Sequence, residues 1–215
     1  MKVIITGTTG YVGEGVLHSC LADPSIEKVL SVSRRTTGIV HPKLEEWIVP
    51  DFMGIDAGDP HIQGYDAVFF CAGISSVGTP MDKYKVISHD IPLHFAQSIV
   101  AKESVCFFYV SGYGTSDKSP QQWAKIKSST EQELVQMPFK GVFWYRPCFM
   151  KPHKDQKFRK SFQISTNILY PFARLTGMAN TIEAVAKSML RLTSEPGLIT
   201  DHVVGVKEID KLANQ

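Results

Sequence analysis

The sequence has few of the features that would place a protein outside the ordinary globular class. Its 215 residues include only four cysteines, Cys20, Cys71, Cys106 and Cys148, and no Cys-x-x-Cys pair. This pattern predicts reduced, buried thiols and neither a disulfide framework nor a zinc site. No apolar run is long enough to cross a bilayer, and the amino terminus has no signal-peptide pattern. We therefore expect a cytoplasmic protein without a membrane partner.

An excess of one charge is also missing. The 23 Lys and Arg residues nearly balance 21 Asp and Glu residues, for a formal charge of +2, so no nucleic-acid partner is predicted. The segment Lys151–Lys160 is a local exception, with five basic residues and one acid. We interpret it as a solvated loop, or alternatively as a mobile lid over a binding cleft. His89 and His94 are five residues apart and share no helix face, so no metal site is predicted.

The most informative feature present is a glycine turn at the amino terminus. The apolar run Val3–Ile5 predicts a buried strand. Three evenly spaced glycines, Gly7, Gly10 and Gly13, follow it, and the last of them falls within a helix predicted over 12–21. Glycine allows the tight turn, close phosphate approach and close helix packing, while the helix N–H groups and dipole favour a diphosphate. The alternative is a tight turn without a ligand. The residues of this turn and helix start that we assign to the binding site are Gly7, Thr9, Gly10, Tyr11, Val12 and Gly13.

Strand-like and helix-like segments alternate along the rest of the chain. Strands are predicted over 28–35, 46–52, 66–73, 104–111, 141–147 and 201–205. Helices are predicted over 81–101, 120–136, 181–192 and 207–213. The first of these has a break at Pro92, the second is capped by Ser119-Pro120 and the third by Thr181. This alternation predicts an α/β fold with a doubly wound, mostly parallel sheet. We expect one domain over 1–215, with 148–215 completing the sheet and covering the substrate cleft. The strand ends would bring together Gly7, Arg34, Asp51, Cys71, Ser111 and Pro147.

The glycine spacing identifies a family resemblance. Gly-x-x-Gly-x-x-Gly after a strand resembles the extended and atypical branches of the short-chain dehydrogenase/reductase superfamily, which include sugar-nucleotide epimerases and small NAD(P)H-binding proteins. The resemblance covers the chain to about Pro147. It implies a Rossmann-like fold, a nicotinamide dinucleotide cofactor and a small-molecule substrate, in a monomer or homodimer.

The residues after the second predicted strand indicate which dinucleotide is bound. An NAD site usually places an acid there to bind the ribose 2′-hydroxyl, whereas arginine accommodates a 2′-phosphate. This chain has Ser33-Arg34-Arg35 and no acid. Guanidinium groups bind phosphate through paired hydrogen bonds, so NADP(H) is favoured over NAD(H). The alternative is a pair of solvated surface arginines.

The resemblance also implies further cofactor contacts. Asp51-Phe52 matches the position that bonds the adenine in the superfamily, although Asp51 is also suited to capping a turn. The small-residue turn after the fourth strand, Cys71-Ala72-Gly73, matches the segment that lies against the adenosine ribose. Arg146 and Pro147, at the end of the sixth predicted strand, complete the assigned set.

The catalytic pattern of the superfamily is only partly present. Its enzymes use a serine and a Tyr-x-x-x-Lys pair on one helix face; Ser111 and Lys127 match, but Trp123 occupies the tyrosine position. An indole has no ionisable hydroxyl, so Trp123 is excluded as the proton donor. Three alternatives remain. Lys127 binds the ribose hydroxyls and no chemistry takes place nearby; Tyr113 replaces the missing hydroxyl; or the proton comes from water or from the substrate. Tyr113 is equally a turn residue, and Ser111 equally a backbone cap.

Two functions follow from this pattern. The first is an NADP(H)-dependent reductase or epimerase acting on a small carbonyl or sugar-nucleotide compound. The second, motivated by Trp123, is a non-catalytic NADPH-binding protein that acts in regulation or redox sensing.

Overall fold

The computed structural model of the chain describes residues 1–156 and 160–215. Its strands are β1 Lys2–Thr6, β2 Lys28–Ser33, β3 Leu44–Ile48, β4 Ala67–Phe70, β5 Cys106–Val110, β6 Gly141–Arg146, β7 Phe149–Lys151, β8 Ala179–Thr181 and β9 Val203–Gly205. Seven of them form one sheet in the order β3-β2-β1-β4-β5-β6-β9, with every neighbouring pair parallel. The remaining two, β7 and β8, pair in a separate parallel ribbon. The predicted doubly wound, Rossmann-like sheet is confirmed.

Helices connect these strands and cover both faces of the sheet. They are α1 Tyr11–Ala22, α2 Met81–Lys85, α3 Ile91–Ser98, α4 Gln122–Leu134, α5 Lys160–Leu175, α6 Ile182–Ser194 and α7 Val206–Ala213. A π-helical turn, Val86–Asp90, joins α2 to α3, and short 3-10 turns occupy Phe52–Gly54, Pro60–Ile62, Lys102–Ser104 and Pro196–Leu198. Among the described helices, none combines the length and the apolar character needed to span a bilayer.

The core has two apolar layers, one on each face of the sheet. Because successive side chains of a strand point to opposite faces, Val3 and Ile5 of β1 enter one layer and Ile4 enters the other, all fully buried. The first layer is completed by α1, α6 and α7, and the second by α3 and α4. Burial on both faces explains why β1, β4 and β5 are almost continuously apolar.

The strand order creates a crevice at one edge of this sheet. Strand β1 lies between β2 and β4, and the crossovers that leave β1 and β4 cover opposite faces, since α1 packs in one layer and α3 in the other. The connections that leave the carboxyl ends of β1 and β4 therefore run to opposite faces of the sheet, and ligands bind at such a point in open α/β sheets.

Two predicted helix boundaries need correction and one is confirmed. Helix α4 begins at Gln122 with Gln121 as its capping residue, so the predicted Ser119-Pro120 cap is wrong; the Ser119 hydroxyl accepts from the Gln121 N–H at 3.2 Å instead. The helix predicted over 81–101 ends at Ser98, and its π-helical turn precedes Pro92, which has no N–H to continue the regular ladder. The Thr181 cap is confirmed, because its hydroxyl accepts from the Ala184 N–H at 3.0 Å.

The chain after Pro147 is more regular than the sequence predicts. The run interpreted as a loop begins in β7, which ends at Lys151, and ends where α5 begins at Lys160; its residues 157–159 lie outside the described part of the chain. The apolar stretch 164–175 belongs to α5. Strand β9 adds the seventh strand of the sheet next to β6.

Candidate functional site

A cleft of about 600 Å³ lies where β1, β2, β4 and β5 end. It is lined by Gly7, Thr9, Gly10, Tyr11, Val12, Ser33, Arg34, Arg35, Pro50, Asp51, Phe52, Cys71, Ala72, Gly73, Ile74, Ser75, Ile87, Ile91, Val110, Ser111, Gly112, Lys127, Pro147 and Met150. The cleft thus unites residues from separate strand ends, and it has the size of a small-molecule or cofactor site.

The glycine turn at its floor leaves no room for larger residues. Gly7 has a φ of +69°, and a Cβ there would lie 2.7 Å from the backbone of Ala72. A Cβ on Gly13 would lie 2.3 Å from the carbonyl oxygen of Gly7. The N–H of Gly10 donates to that same oxygen at 2.9 Å. Gly13 does not line the cleft; its absent side chain lets α1 pack against the turn.

The beginning of α1 has the features of an anion site. Its capping residue is Gly10, which has no side chain to bond the N–H groups of the first turn. These groups have no partner within the helix, and the helix dipole adds partial positive charge at this end. Val12, in the first turn, lines the cleft. The arrangement suits a diphosphate.

Tyr11 occupies the same helix end but is not a base. Its hydroxyl donates to the carbonyl oxygen of Met150 at 2.5 Å. Burial, with a smaller contribution from the Glu183 carboxylate, raises the pKa of Tyr11 to about 12. The phenol therefore stays protonated at neutral pH and fastens the turn to β7.

Two buried hydroxyl groups hold the turn in place before any ligand binds. The Thr8 hydroxyl lies 2.6 Å from that of Ser31 in β2, and both residues are fully buried. The Thr6 hydroxyl accepts from the Ala72 N–H at 3.1 Å. These bonds join β1 to both of its neighbours at the cleft edge, so the floor is preorganised.

Arg34 and Arg35 form the basic end of the cleft. Both are exposed, both line it, and neither guanidinium forms an ion pair with a described residue. The hydroxyl of Ser33 donates to the Arg35 carbonyl oxygen at 2.5 Å, which fixes the backbone between them. A second cavity of about 500 Å³ shares Thr9 and Arg35 with the cleft.

The residues assigned to the adenosine moiety also line the cleft. Asp51 is exposed and its carboxylate accepts from the Met53 N–H at 2.9 Å, so it caps a 3-10 turn as well as bordering the cleft. Phe52 beside it is buried. On the opposite wall, burial raises the pKa of Cys71 to about 12, so this thiol stays protonated and is no nucleophile.

Arg146, like Gly13, is an assigned cofactor residue that does not line the cleft. Its Nε donates to the Glu131 carboxylate at 3.0 Å, and Glu131 is only 1% exposed. A buried carboxylate requires such a partner, because an unpaired one would be strongly destabilising. Arg146 is absent from the cleft lining, and we remove it from the proposed contacts; Pro147, the next residue, does line the cleft.

Ser111 and Lys127 meet at the other end of the cleft. The Ser111 hydroxyl lies 3.0 Å from that of Thr115. The Lys127 ammonium donates to the carbonyl oxygens of Val110 and Ser111, at 3.0 and 2.9 Å. Desolvation lowers the pKa of Lys127 to about 8, although the Glu131 carboxylate opposes this shift. The lysine is thus held by main-chain oxygens at the point where β5 ends.

Neither aromatic candidate supplies a hydroxyl to the cleft. The Trp123 indole N–H donates to the Gln121 side chain, and its ring lies near Gly112 and Gly114, where an added Cβ would be 4.0 Å from it. Tyr113 is 59% exposed, with its N–H donating to the Pro147 carbonyl oxygen at 3.1 Å. Neither residue is part of the cleft lining, in which Tyr11 is the one tyrosine.

Comparison with known sequences places this site in a family. The model of the NAD dependent epimerase/dehydratase family matches residues 3–133, which is more than half of the chain and includes the glycine turn, both arginines, Ser111 and Lys127. The chain belongs to this family.

Two relatives illustrate how far the likeness to individual members extends. Protein FMP52, mitochondrial, of Candida glabrata is 27% identical over 145 residues, which are 67% of this chain but only 61% of that protein. Protein HTATIP2 of Rattus norvegicus is 24% identical over 203 residues, 91% of this chain and 82% of that protein. Because several fungal relatives are named mitochondrial, the expected cytoplasmic location stays a prediction.

Solved structures of other proteins share the fold. The uronate dehydrogenase of Agrobacterium tumefaciens superposes with a TM-score of 0.67 at 12% identity, over 95% of this chain and 75% of that one. The L-threonine dehydrogenase of Cupriavidus necator gives 0.66 at 15% identity, over 94% and 76%. At these identities the superpositions establish the architecture alone.

Nine residues that line the cleft were not predicted as site residues from the sequence. They are Ser33, Pro50, Ile74, Ser75, Ile87, Ile91, Val110, Gly112 and Met150. Ile87 and Ile91 are four apart, so helical spacing places them on one face, and that signal was available. Nothing in the sequence indicated Met150, which reaches the cleft through β7.

Proposed function

We propose that this member of the family binds NADP(H) in the cleft, with Arg34 and Arg35 at the 2′-phosphate of the cofactor. The observation that carries the proposal is the pair of guanidinium groups without ion-pair partners among the described residues, lining the cleft beside the end of β2. No acid follows that strand in the sequence, so the position that binds the ribose 2′-hydroxyl in NAD sites has no carboxylate to repel a phosphate.

The other residues of the cleft fit the remaining parts of a dinucleotide. The first turn of α1 would hold the diphosphate, and Gly7 and Gly10 leave its approach open because they have no side chains. Asp51 and Phe52 would contact the adenine, and Cys71, Ala72 and Gly73 the adenosine ribose. Lys127 would exchange one of its two main-chain acceptors for a ribose hydroxyl.

The reaction end supports two candidate activities. A bound nicotinamide supplies hydride chemistry, and Ser111 would then hold a substrate oxygen by a hydrogen bond. Ser111 and Lys127 line the cleft together, which favours a reductase or epimerase of a small carbonyl or sugar-nucleotide compound. The proton would have to come from water or the substrate, since among the described residues Tyr11 is the one tyrosine that lines the cleft and its hydroxyl donates to Met150.

Trp123 and Tyr113 favour the second candidate. The indole is bonded to Gln121 and the phenol is exposed, so the acid–base group that gives the superfamily its rate is missing from the cleft. We therefore place cofactor binding without rapid turnover first, as in a regulatory or redox-sensing protein, and reduction second.

Calorimetric titration of the purified chain with NADPH and NADH tests the binding proposal. We expect NADPH to bind at least about tenfold more tightly, because the 2′-phosphate adds charge-assisted hydrogen bonds. Equal affinities would contradict the assignment of Arg34 and Arg35. NADPH oxidation measured against aldehydes, quinones and nucleotide sugars then separates the two candidates, since turnover above the substrate-free rate would favour the reductase.

A further inference from the structure

Helix α5 is fastened to the protein along one side. Tyr170 packs against Phe149 of β7 with ring centroids 6.5 Å apart. Four residues later, Arg174 donates to the Ala179 carbonyl oxygen at 3.0 Å and pairs with Asp210 of α7. Thr166, four residues before Tyr170, is only 3% exposed. This spacing defines the inner side of the helix.

The outer side of the same helix is apolar and exposed. Ile168, Leu169, Phe172 and Leu175 are 59%, 54%, 69% and 87% exposed. Residues 168, 172 and 175 have the spacing of one helix face, and we name the four side chains the α5 apolar face. Isolated exposed apolar residues need no explanation, but four within eight residues form a patch of the kind that marks an interaction surface.

The charge of the surrounding sequence indicates what covers this face. Between Lys151 and Leu175 the chain has six basic residues and one acid, a formal charge of +5, whereas the whole chain carries +2. The rest of the chain therefore has a formal charge of −3. Lys151 stands 5.4 Å from the Tyr170 ring centroid and Lys154 is exposed, so positive charge lies beside the helix within the described residues.

We propose that the α5 apolar face docks onto the surface of an anionic lipid membrane. Aliphatic and aromatic side chains would enter the boundary between headgroups and acyl chains, while neighbouring lysines contact the acidic headgroups. The helix would lie on the membrane, since no described helix is suited to crossing one. This proposal departs from the expectation of no membrane partner, and it does not depend on the cofactor.

The same charges oppose the obvious competing occupant. In a symmetric dimer formed through this face, Lys151 and Lys154 of one copy would approach those of the other, and like charges at an interface are unfavourable. A nucleic acid would satisfy the lysines but would leave Phe172 and Leu175 without apolar contacts. An anionic bilayer satisfies both parts of the surface.

Flotation of the purified full chain with phosphatidylcholine vesicles, with and without phosphatidylserine, tests the proposal. We expect binding to the anionic vesicles only, weakened by salt because the headgroup contacts are screened. A Phe172→Ser, Leu175→Ser double variant should bind at least about tenfold less, since it removes the two most exposed apolar groups of the face. Val40→Ser, at a side chain that is 99% exposed elsewhere, is the matched control and should bind as the parent does.

Each other outcome would overturn the proposal. Failure of the parent to float with anionic vesicles, equal flotation with both vesicle types, or equal binding by the double variant would contradict it. So would a parent that light scattering shows to be a dimer and that the double variant converts to a monomer, because the face would then be a subunit interface. Melting temperatures equal to that of the parent would show that the variants are folded.

Discussion

The two ends of the cleft differ in how closely they follow the family pattern. The diphosphate end is the glycine turn with the first turn of α1, where we propose that the diphosphate binds. There, Gly7 and Gly13 fit so tightly that a single added Cβ would clash with backbone atoms, and hydrogen bonds between buried hydroxyl groups and their partners hold the turn. At the reaction end, which contains Ser111 and Lys127, Trp123 replaces the expected tyrosine and its N–H donates to Gln121. One end of the cleft thus follows the family pattern and the other departs from it, so binding and turnover must be tested separately.

Of the substitutions proposed here, Gly13→Ala at the diphosphate end should cause the largest loss of stability and of NADPH binding. The new Cβ would lie 2.3 Å from the Gly7 carbonyl oxygen, and neither backbone segment can move away without disturbing β1 and α1. We expect a loss of at least about 3 kcal/mol in the free energy of unfolding, together with loss of NADPH binding. Urea denaturation and calorimetric titration measure the two effects.

Gly54→Ala is the control for that substitution. No atom lies within 4 Å of a Cβ placed on Gly54, and its φ is not positive, so the alanine should cost less than about 1 kcal/mol. A Gly13→Ala variant as stable as this control would contradict the description of the turn.

The basic part of the cofactor end is tested by an Arg34→Ser, Arg35→Ser double variant. Removing two guanidinium groups should weaken NADPH binding on the order of 10- to 100-fold and leave NADH binding nearly unchanged, since NADH has no 2′-phosphate. Lys118→Ser removes an exposed positive charge outside the cleft lining and serves as control. Equal weakening of both cofactors would show that the arginines act only through general charge.

The sequence was sufficient to predict the parallel sheet and most of the residues that line the cleft, because the constraints on them are local. Val3–Ile5 is buried on both faces and is therefore apolar throughout, and the glycines are required by contacts within one turn. Arg146 could not be placed from sequence, because its role depends on the buried Glu131 of a different element. The β7–β8 ribbon was missed because each strand has only three residues, too few to show a period.

Lys127 should make NADPH affinity depend on pH. Its pKa of about 8 lies below the ordinary value of 10.5, because burial disfavours the charged form. Below pH 8 the ammonium is charged and donates strong hydrogen bonds; as pH rises through 8 it loses its proton and these weaken. We expect NADPH affinity to fall about fivefold to tenfold between pH 7 and 9.5.

The lowered pKa of Lys127 should also make the stability of the fold depend on pH. Between pH 8 and 10.5 the unfolded chain binds more protons at Lys127 than the folded chain does, so this residue's contribution to stability becomes more favourable as pH rises through that window. Lys127→Arg, which stays charged, should show neither this trend nor the fall in affinity. An arginine variant with the parent's pH profiles would show that another group titrates.

The smallest effect on binding is expected from Trp123→Tyr. The indole does not line the cleft, so NADPH affinity should change less than about threefold. The new phenol would stand four residues before Lys127 on one face of α4 and restore a proton donor. An increase in NADPH oxidation with a quinone or aldehyde, absent in Trp123→Phe, would show that the reaction end is otherwise assembled. No increase would mean that the reaction end lacks more than the tyrosine hydroxyl needed for catalysis.

A crystal structure of the chain grown with NADPH tests the central claim most directly. We expect the diphosphate at the first turn of α1, above Gly10, with the 2′-phosphate bound by Arg34 or Arg35. A cofactor bound outside the cleft, or one whose 2′-phosphate contacts neither arginine, would contradict it.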